Sequence, residues 1–291
     1  MEAEEVMATS AIPAKVAVIG GGQMGSGIAR TYAIAGAEVS IVERGTAAAD
    51  IAEKRLSDAV QKDAKREKLD DPDELLSRLN VIPELADLPA GTELVIEAVP
   101  EVAETKVEVL SGAERFVDAE AVLASNTSSL SVAGLSAALR HPERFLGMHY
   151  FNPVPASKLV ELVAGPSTTE AVIGRARGWV RVLGKTDLLV RDSPGFATSR
   201  LGVLLGLEAI RMLAEGIADA ASVDSAMELG YRHPMGPLRS TDLVGLDVRL
   251  AIAEHLHATL GERFAPPQLL RDKVARGELG RKTGRGFFNW E

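Results

Sequence analysis

The fold is set by the stretch KVAVIGGGQMGSGIARTYAIAG, residues 15–36. Its β-branched start predicts a buried strand, and its second half has the spacing of an amphipathic helix. Between the two, Gly20, Gly22 and Gly25 form the pattern G-x-G-x-x-G. In this context the pattern is typical of dinucleotide binding, because the glycines allow a tight turn, close approach to a pyrophosphate and close packing of the helix on the strand. Amide groups at the helix N-terminus then attract the phosphates.

The second predicted strand indicates which dinucleotide is bound. EVSIVE (Glu38–Glu43) ends on a carboxylate that can accept a hydrogen bond from a ribose 2′-hydroxyl and would repel a 2′-phosphate. NAD is therefore the predicted cofactor, although Arg44 beside Glu43 weakens the preference over NADP. Gln23 and Met24, inside the glycine turn, complete the predicted cofactor-binding set. A plain βαβ unit whose glycines serve packing alone is the alternative.

Further elements predict a parallel sheet with helices on both faces. Strands are expected at Leu94–Val99, Val122–Asn126 and Phe145–Phe151, and a charged helix from about Asp50 to Lys68. Strands that alternate with helices are typical of a parallel sheet covered on both sides. We therefore predict an α/β Rossmann-like domain with a mostly parallel sheet at residues 14–190, after a flexible leader at residues 1–13.

The pattern changes near residue 190, from where we predict an all-helical C-terminal domain (191–291). Helices are expected in PGFATSRLGVLLGLEAIRMLAEG, SVDSAMELG and PLRSTDLVGLDVRLAIAEHLHATLG. Asp192 or Ser193 can cap the first helix, and Pro194 suits its first turn. This helix is apolar around much of its circumference, which indicates burial, partly against a second subunit.

Composition argues against several classes of protein. The chain has 291 residues, no cysteine and a formal net charge of −9 at pH 7. Disulfides and thiolate metal sites are therefore absent, and a cytoplasmic location is expected. An acidic chain without a basic block is unsuited to nucleic acid, and no apolar run approaches the ~18–20 residues that cross a bilayer. No metal site is predicted, since His255 and His257 lie on different faces of a predicted helix.

Polar residues follow the strand at Val122–Asn126. The segment SNTSSL (Ser125–Leu130) brings Asn126, Ser128 and Ser129 to the sheet edge where α/β proteins bind ligands. The alternative is a helix N-cap cluster, because serine and asparagine are the preferred capping residues.

One histidine is placed to act as a base. In FLGMHYFNPVPASKLVELV (residues 145–163), Pro155 stands midway between His149 and Glu161. A chain that folds back at this point makes the two side chains cross-strand neighbours. A carboxylate that fixes an imidazole is what a general base requires. The alternative is a core histidine that merely satisfies its hydrogen bonds.

Together these segments resemble the L-3-hydroxyacyl-CoA dehydrogenase family, particularly its short-chain 3-hydroxybutyryl-CoA members. The resemblance runs from about residue 15 to 290 and rests on the ordered set GGGQMGSGIA, VIEAVPE, SNTSSL, HYFNPVPASKLVE, DSPGF, MGPLRSTDLVGLD and GRKTGRGFFNW. It implies reversible oxidation of an acyl-CoA 3-hydroxyl with NAD, and a homodimer formed by the helical domain. Carried over by position, it makes His149 the catalytic base and Glu161 its partner. It also makes Ser128 a contact of both substrate and cofactor.

The resemblance assigns further contacts. It places Asn152 near the nicotinamide, Glu43 on the adenosine ribose, and Glu101 and Lys106 among the cofactor contacts. Arg66, with Lys62 nearby, would meet the CoA phosphates. One position departs from the family: PGFATSR has Ser199 where an asparagine normally helps to orient the substrate. A dehydrogenase of a free hydroxy acid or sugar acid, and a structural NAD-binding relative without catalysis, remain alternatives.

Overall fold

The described chain divides into two compact units, the first ending at Asp192 and the second beginning at Ser193. The computed structural model describes residues 11–64 and 71–290. The predicted boundary at residues 190 and 191 falls inside the last strand of the first unit, which ends at Arg191. The prediction of a flexible leader is wrong for Ile12, which packs against the hydrophobic core, and for Pro13, which is buried.

The first unit is a single eight-stranded sheet with helices. Its strand order is β3-β2-β1-β4-β5-β6-β7-β8, and all neighbouring pairs are parallel except β6 with β7. This confirms the predicted mostly parallel sheet. The elements are β1 (Lys15–Ile19), α1 (Gln23–Ile34), β2 (Glu38–Val42), α2 (Thr46–Ala64), α3 (Pro72–Ser77), β3 (Leu79–Ile82), β4 (Leu94–Glu97), α4 (Ala103–Ala113), β5 (Val122–Ser125), α5 (Val132–Ser136), β6 (Phe145–Tyr150), β7 (Leu159–Ala164), α6 (Glu170–Val182) and β8 (Thr186–Arg191).

The two edge strands, β3 and β8, were not predicted from the sequence. Both leave much of their surface exposed, and β8 has no fully buried residue. Edge strands therefore lack the continuous apolar run that marks a buried parallel strand. The charged helix also differs from the prediction: α2 begins at Thr46 rather than near Asp50, and the predicted end at Lys68 lies outside the described residues.

The buried strands end together at one edge of the sheet. Ile19 is paired with Val42 on one side and with Glu97 on the other, and Glu97 is paired with Ser125. The strands β2, β4 and β5 are each one or two residues shorter than predicted, because the residues that follow leave the ladder. The loops at this edge therefore carry the polar residues that the sequence analysis singled out.

The second unit is helical. Its helices are α7 (Thr198–Ala214), α8 (Ala220–Gly230), α9 (Pro237–Val244), α10 (Leu246–Leu260) and α11 (Gln268–Ala275). Residues 193–290 contain isolated β-bridges but form no β-strand. The core is formed mainly by buried leucine, valine, isoleucine and phenylalanine side chains, including Val203, Leu207, Leu238, Leu256 and Phe264.

Two predictions for this unit were wrong. The first helix starts at Thr198, not at Pro194, because Gly195 and Phe196 have φ values of 73° and 49°, which are incompatible with a helix. Asp192 instead accepts a hydrogen bond from the amide of Ala133 in α5. The last predicted helix is divided into α9 and α10 at Gly245, whose φ is 104°.

Candidate active site

The glycine turn between β1 and α1 has the geometry that a dinucleotide requires. Gly20 has a φ of 101°, which favours glycine. A Cβ atom on Gly25 would lie 1.8 Å from the carbonyl oxygen of Gly20, so only glycine lets α1 start this close to the strand. A Cβ atom on Gly22 would meet nothing within 4 Å. The turn is therefore closed on its protein side and open where a pyrophosphate would pass.

Gly21, in the middle of the turn, is held by hydrogen bonds at both its amide and its carbonyl group. The amide of Gly21 donates to Oε1 of Glu43 at 2.6 Å. The carbonyl of Gly21 accepts hydrogen bonds from Nη1 of Arg55 at 2.7 Å and from the Ser26 hydroxyl at 2.9 Å. A Cβ atom at this position would lie 2.6 Å from the Cβ of Ala52. Sequence reasoning missed Gly21 and Arg55; the third consecutive glycine was the available signal for the first of them.

A cleft of about 1130 Å³ opens beside this turn. Gly20, Gly22, Gln23, Met24 and Glu43 line it, and the chain after β4 forms another part of its wall. Its size exceeds the upper end of the ~300–1,000 Å³ that is usual for small-molecule sites. An acid at the end of β2 and an open backbone turn fit NAD. The contact of Glu43 with the adenosine ribose stays a prediction.

His149 and Glu161 form a buried pair. They are register partners of the antiparallel strands β6 and β7, as the position of Pro155 predicted. Nδ1 of His149 lies 3.1 Å from Oε2 of Glu161, and the two residues are 7% and 0% exposed. The ring of Phe151 lies 4.4 Å from the imidazole, centroid to centroid. The carboxylate therefore fixes the orientation of the imidazole. The two groups form an ion pair only when the ring is protonated.

The turn after β6 brings the histidine strand to the glycine turn. The amide nitrogen of the Gln23 side chain donates to Oδ1 of Asn152 at 3.2 Å. On the other side of β6, Oδ1 of Asn126 accepts from the backbone amide of Tyr150 at 2.8 Å. Two predicted cofactor residues, Gln23 and Asn152, are thus in contact. Asn126 contributes to holding the end of β6.

The Ser128 loop is organised by one carboxylate. Oε1 of Glu101 accepts hydrogen bonds from the Thr127 hydroxyl at 2.6 Å, the Ser128 amide at 2.9 Å and the Ser129 amide at 3.1 Å. The N-cap of α5 is Ser131, whose hydroxyl accepts from the amide of Gly134 at 3.1 Å. The alternative interpretation of SNTSSL was a helix N-cap cluster; the capping residue is instead Ser131, which directly follows that segment.

A buried ion pair lies behind this loop. Nζ of Lys106 is 2.6 Å from Oε1 of Glu97 and 3.1 Å from Oε2 of Glu101. Burial, the largest influence, raises the pKa of Glu97 above its usual value in spite of Lys106. Burial alone would also raise the pKa of Glu101, but Lys106 and the donors of the loop together hold it below its usual value. The contact of Lys106 with the cofactor stays a prediction, and Glu97 was missed because it continues an apolar strand.

The remaining predicted substrate residues belong to other elements of the chain. Ser199 is in the first turn of α7, in the second unit. Lys62 is exposed in the last turn of α2, and Arg66 lies outside the described residues. Across residues 11–64 and 71–290, no group of three or more histidine, aspartate or glutamate side chains is arranged to hold a metal ion. No helix in the described part of the chain is both long and apolar enough to span a membrane.

Known proteins resemble this chain over nearly its whole length. A 3-hydroxybutyryl-CoA dehydrogenase of Mycobacterium tuberculosis is 42% identical over 281 residues, covering 95% of this chain and 98% of that protein. A probable 3-hydroxybutyryl-CoA dehydrogenase of Bacillus subtilis is 39% identical over 280 residues, with 95% and 97% coverage. The crystal structure of (S)-3-hydroxybutyryl-CoA dehydrogenase from Ralstonia eutropha superposes with a TM-score of 0.89 at 37% identity, covering 96% and 99% of the two chains.

The family comparison agrees with this two-part organisation. Residues 15–193 match the NAD binding domain of 3-hydroxyacyl-CoA dehydrogenase, and residues 195–290 match the C-terminal domain of the same enzyme. The fold, the glycine turn that fits NAD and both domain matches therefore agree. The chain belongs to the 3-hydroxyacyl-CoA dehydrogenase family and is an NAD-dependent dehydrogenase.

Proposed function

We propose that the chain oxidises the 3-hydroxyl group of a short-chain (S)-3-hydroxyacyl-CoA to the 3-oxo group, reversibly, with 3-hydroxybutyryl-CoA as a substrate. The observation that carries the proposal is the buried His149–Glu161 pair, 3.1 Å apart at the end of β6. It is followed within the same turn by Asn152, which contacts Gln23 of the glycine turn. The names of the relatives support an acyl-CoA as the substrate.

In this proposal His149 is the general base. Glu161 engages Nδ1, so Nε2 is the nitrogen that accepts the proton of the substrate hydroxyl. When bound, NAD⁺ supplies the acceptor for the hydride that leaves C3. Glu161 stabilises the imidazolium that forms, because the opposite charge is already in place and buried. In the reverse direction the imidazolium returns the proton to the oxygen of the 3-oxo group.

The other predicted residues position the reactants. Gly20, Gly22 and Gly25 leave room for the pyrophosphate, and Glu43 accepts from the adenosine ribose, which favours NAD over NADP. Ser128 would contact both reactants, and Asn152 would lie near the nicotinamide. Ser199 would contribute to substrate binding through a shorter side chain than the asparagine usual in the family. Arg66 would bind the CoA phosphates.

We also propose a homodimer formed by the helical unit. Leu201 and Leu204 of α7 are 67% and 37% exposed, although the opposite face of the same helix is buried. An apolar stripe on a surface helix supports association with a second copy. The cytoplasmic location stays a prediction from composition.

The substrate is tested by steady-state kinetics with NADH. We expect kcat/KM for acetoacetyl-CoA to exceed that for free acetoacetate by at least 10³, because the CoA moiety supplies binding energy. Comparable values for the two would favour a dehydrogenase of free hydroxy acids. Tight NADH binding without turnover of any acyl-CoA would favour a structural relative. A series from C4 to C16 with a dicarboxylic member then sets the preferred acyl group.

A further inference from the structure

We propose that Glu97 is a positioning residue that holds the Ser128 loop in place through Lys106 and Glu101. The inference rests on the proposed function, in which Ser128 contacts substrate and cofactor. Glu97 is the last residue of β4 and is 0% exposed. It lines up across the sheet with Ser125, the residue at which β5 ends and the loop begins.

The Glu97 carboxylate is surrounded by hydrogen-bond donors. Oε1 accepts from Nζ of Lys106 at 2.6 Å and from the amide of Val99 at 2.7 Å, and Oε2 accepts from the hydroxyl of Ser125 at 2.5 Å. The Ser125 oxygen in turn lies 3.2 Å from the amide of Thr127, which donates to it. With the Ser125 hydroxyl donating to Oε2, all three contacts are donated to the carboxylate, which suits its ionised form.

Lys106 transmits this arrangement to Glu101. The lysine is 1% exposed, and its three donors are directed at Glu97, at Glu101 and at the carbonyl oxygen of Val99, the last at 3.2 Å. The two carboxylates share one ammonium group. Lys106 thereby holds Oε2 of Glu101, while Oε1 of Glu101 accepts hydrogen bonds from Thr127, Ser128 and Ser129. The chain of contacts runs without a gap from a buried strand end to the amide of Ser128.

Loss of the Glu97 charge would change how Lys106 distributes its contacts. A glutamine at position 97 keeps the shape of the side chain but leaves Glu101 as the remaining carboxylate paired with the buried ammonium group of Lys106. The ammonium group then draws Glu101 towards itself, at the expense of the loop. The backbone is held independently, since the carbonyl of Glu97 accepts from the amide of Asn126 at 2.8 Å. The effect should therefore appear in the loop rather than in the sheet.

A double substitution separates positioning from simple stabilisation. Removing one member of a buried ion pair is strongly destabilising, whereas replacing both by neutral residues of similar size is often tolerated. Glu97→Gln and Lys106→Met should each lower Tm and kcat with acetoacetyl-CoA and NADH. We expect the double variant to regain most of the lost Tm while its kcat stays at least tenfold below wild type. Because Lys106 is itself a predicted cofactor contact, Glu97→Gln, which keeps Lys106, reports on positioning: its kcat should fall at least tenfold and its NADH Kd should weaken at least threefold.

The control is Asp187→Asn, which removes another ion-paired carboxylate of the first unit. Asp187 is paired with Arg177 and Arg181, and these pairs do not include a predicted site residue. It should lower Tm and leave kcat within twofold of wild type. A double variant whose kcat and NADH Kd return to wild-type values together with Tm would overturn the inference. If wild type does not reduce acetoacetyl-CoA, the proposed function fails. The role of Glu97 is then tested only by comparing the NADH Kd of the variants with that of wild type.

Discussion

The substitution Gly22→Ala tests where the cofactor passes over the chain. Gly22 has a φ of −65° and a ψ of −170°, which alanine adopts without strain, and an added Cβ meets nothing within 4 Å. The unfolding free energy should therefore stay unchanged or rise by up to about 1 kcal/mol, through the lower entropy of the unfolded chain. The same methyl group occupies space that the pyrophosphate requires. Overpacking of this kind costs about 1–3 kcal/mol, which weakens NADH binding by roughly 5- to 150-fold.

The matched control is Gly25→Ala, at which the added Cβ would lie 1.8 Å from the backbone oxygen of Gly20. Backbone cannot move aside as a flexible side chain can, so this variant should lose about 3 kcal/mol of stability. Urea unfolding gives the stabilities, and a fluorescence titration gives the Kd of NADH. A Gly22→Ala variant that binds NADH with wild-type Kd would refute the proposed path of the cofactor. A loss of unfolding free energy in Gly22→Ala equal to that in Gly25→Ala would also refute it.

Three further changes have defined outcomes. Glu43→Ala removes the acceptor for the Gly21 amide and for the ribose, and hydrogen bonds to a charged group contribute about 1.5–3 kcal/mol. The Kd of NADH should therefore rise at least tenfold. The ratio of the NADPH Kd to the NADH Kd should become smaller, as titrations with both nucleotides will show. Ser199→Asn introduces the longer amide side chain that is usual in the family. The value of kcat/KM for acetoacetyl-CoA should then rise by roughly 2- to 12-fold, the equivalent of one neutral hydrogen bond. An unchanged kcat/KM would contradict the assignment of Ser199 to the substrate site. Hydrogen bonds from Lys273 and Arg276 lower the pKa of Glu278 from 4.5 to about 2. Because the folded-state pKa is lowered, wild type should have a higher Tm than Glu278→Gln above pH 4.5, and this difference should shrink as the pH falls towards 2.

The sequence was most informative where a feature is local. The glycine turn needs only adjacent residues, so Gly20, Gly22 and Gly25 could be assigned before the fold was known. The His149–Glu161 pair was predictable because a single reversal of the chain, centred on Pro155, determines which residues become neighbours. Short-range geometry of this kind survives errors in the rest of the topology.

Features that depend on distant packing were not predictable. Glu97 lies in the apolar run of β4, and only the packing of α4 against this strand shows that Lys106 neutralises it. Arg55 reaches the glycine turn from α2. The edge strands β3 and β8 lack a buried apolar pattern, and the start of α7 depends on φ values at Gly195 and Phe196 that residue types alone did not indicate.

The most direct test of the account is the turnover of His149→Ala with acetoacetyl-CoA and NADH, measured together with its NADH affinity. A positioned general base contributes roughly 10²–10⁴-fold, so kcat should fall by at least a hundredfold while the Kd of NADH stays within threefold of wild type. A kcat within tenfold of wild type, with NADH still bound, would contradict the assignment of His149 as the base.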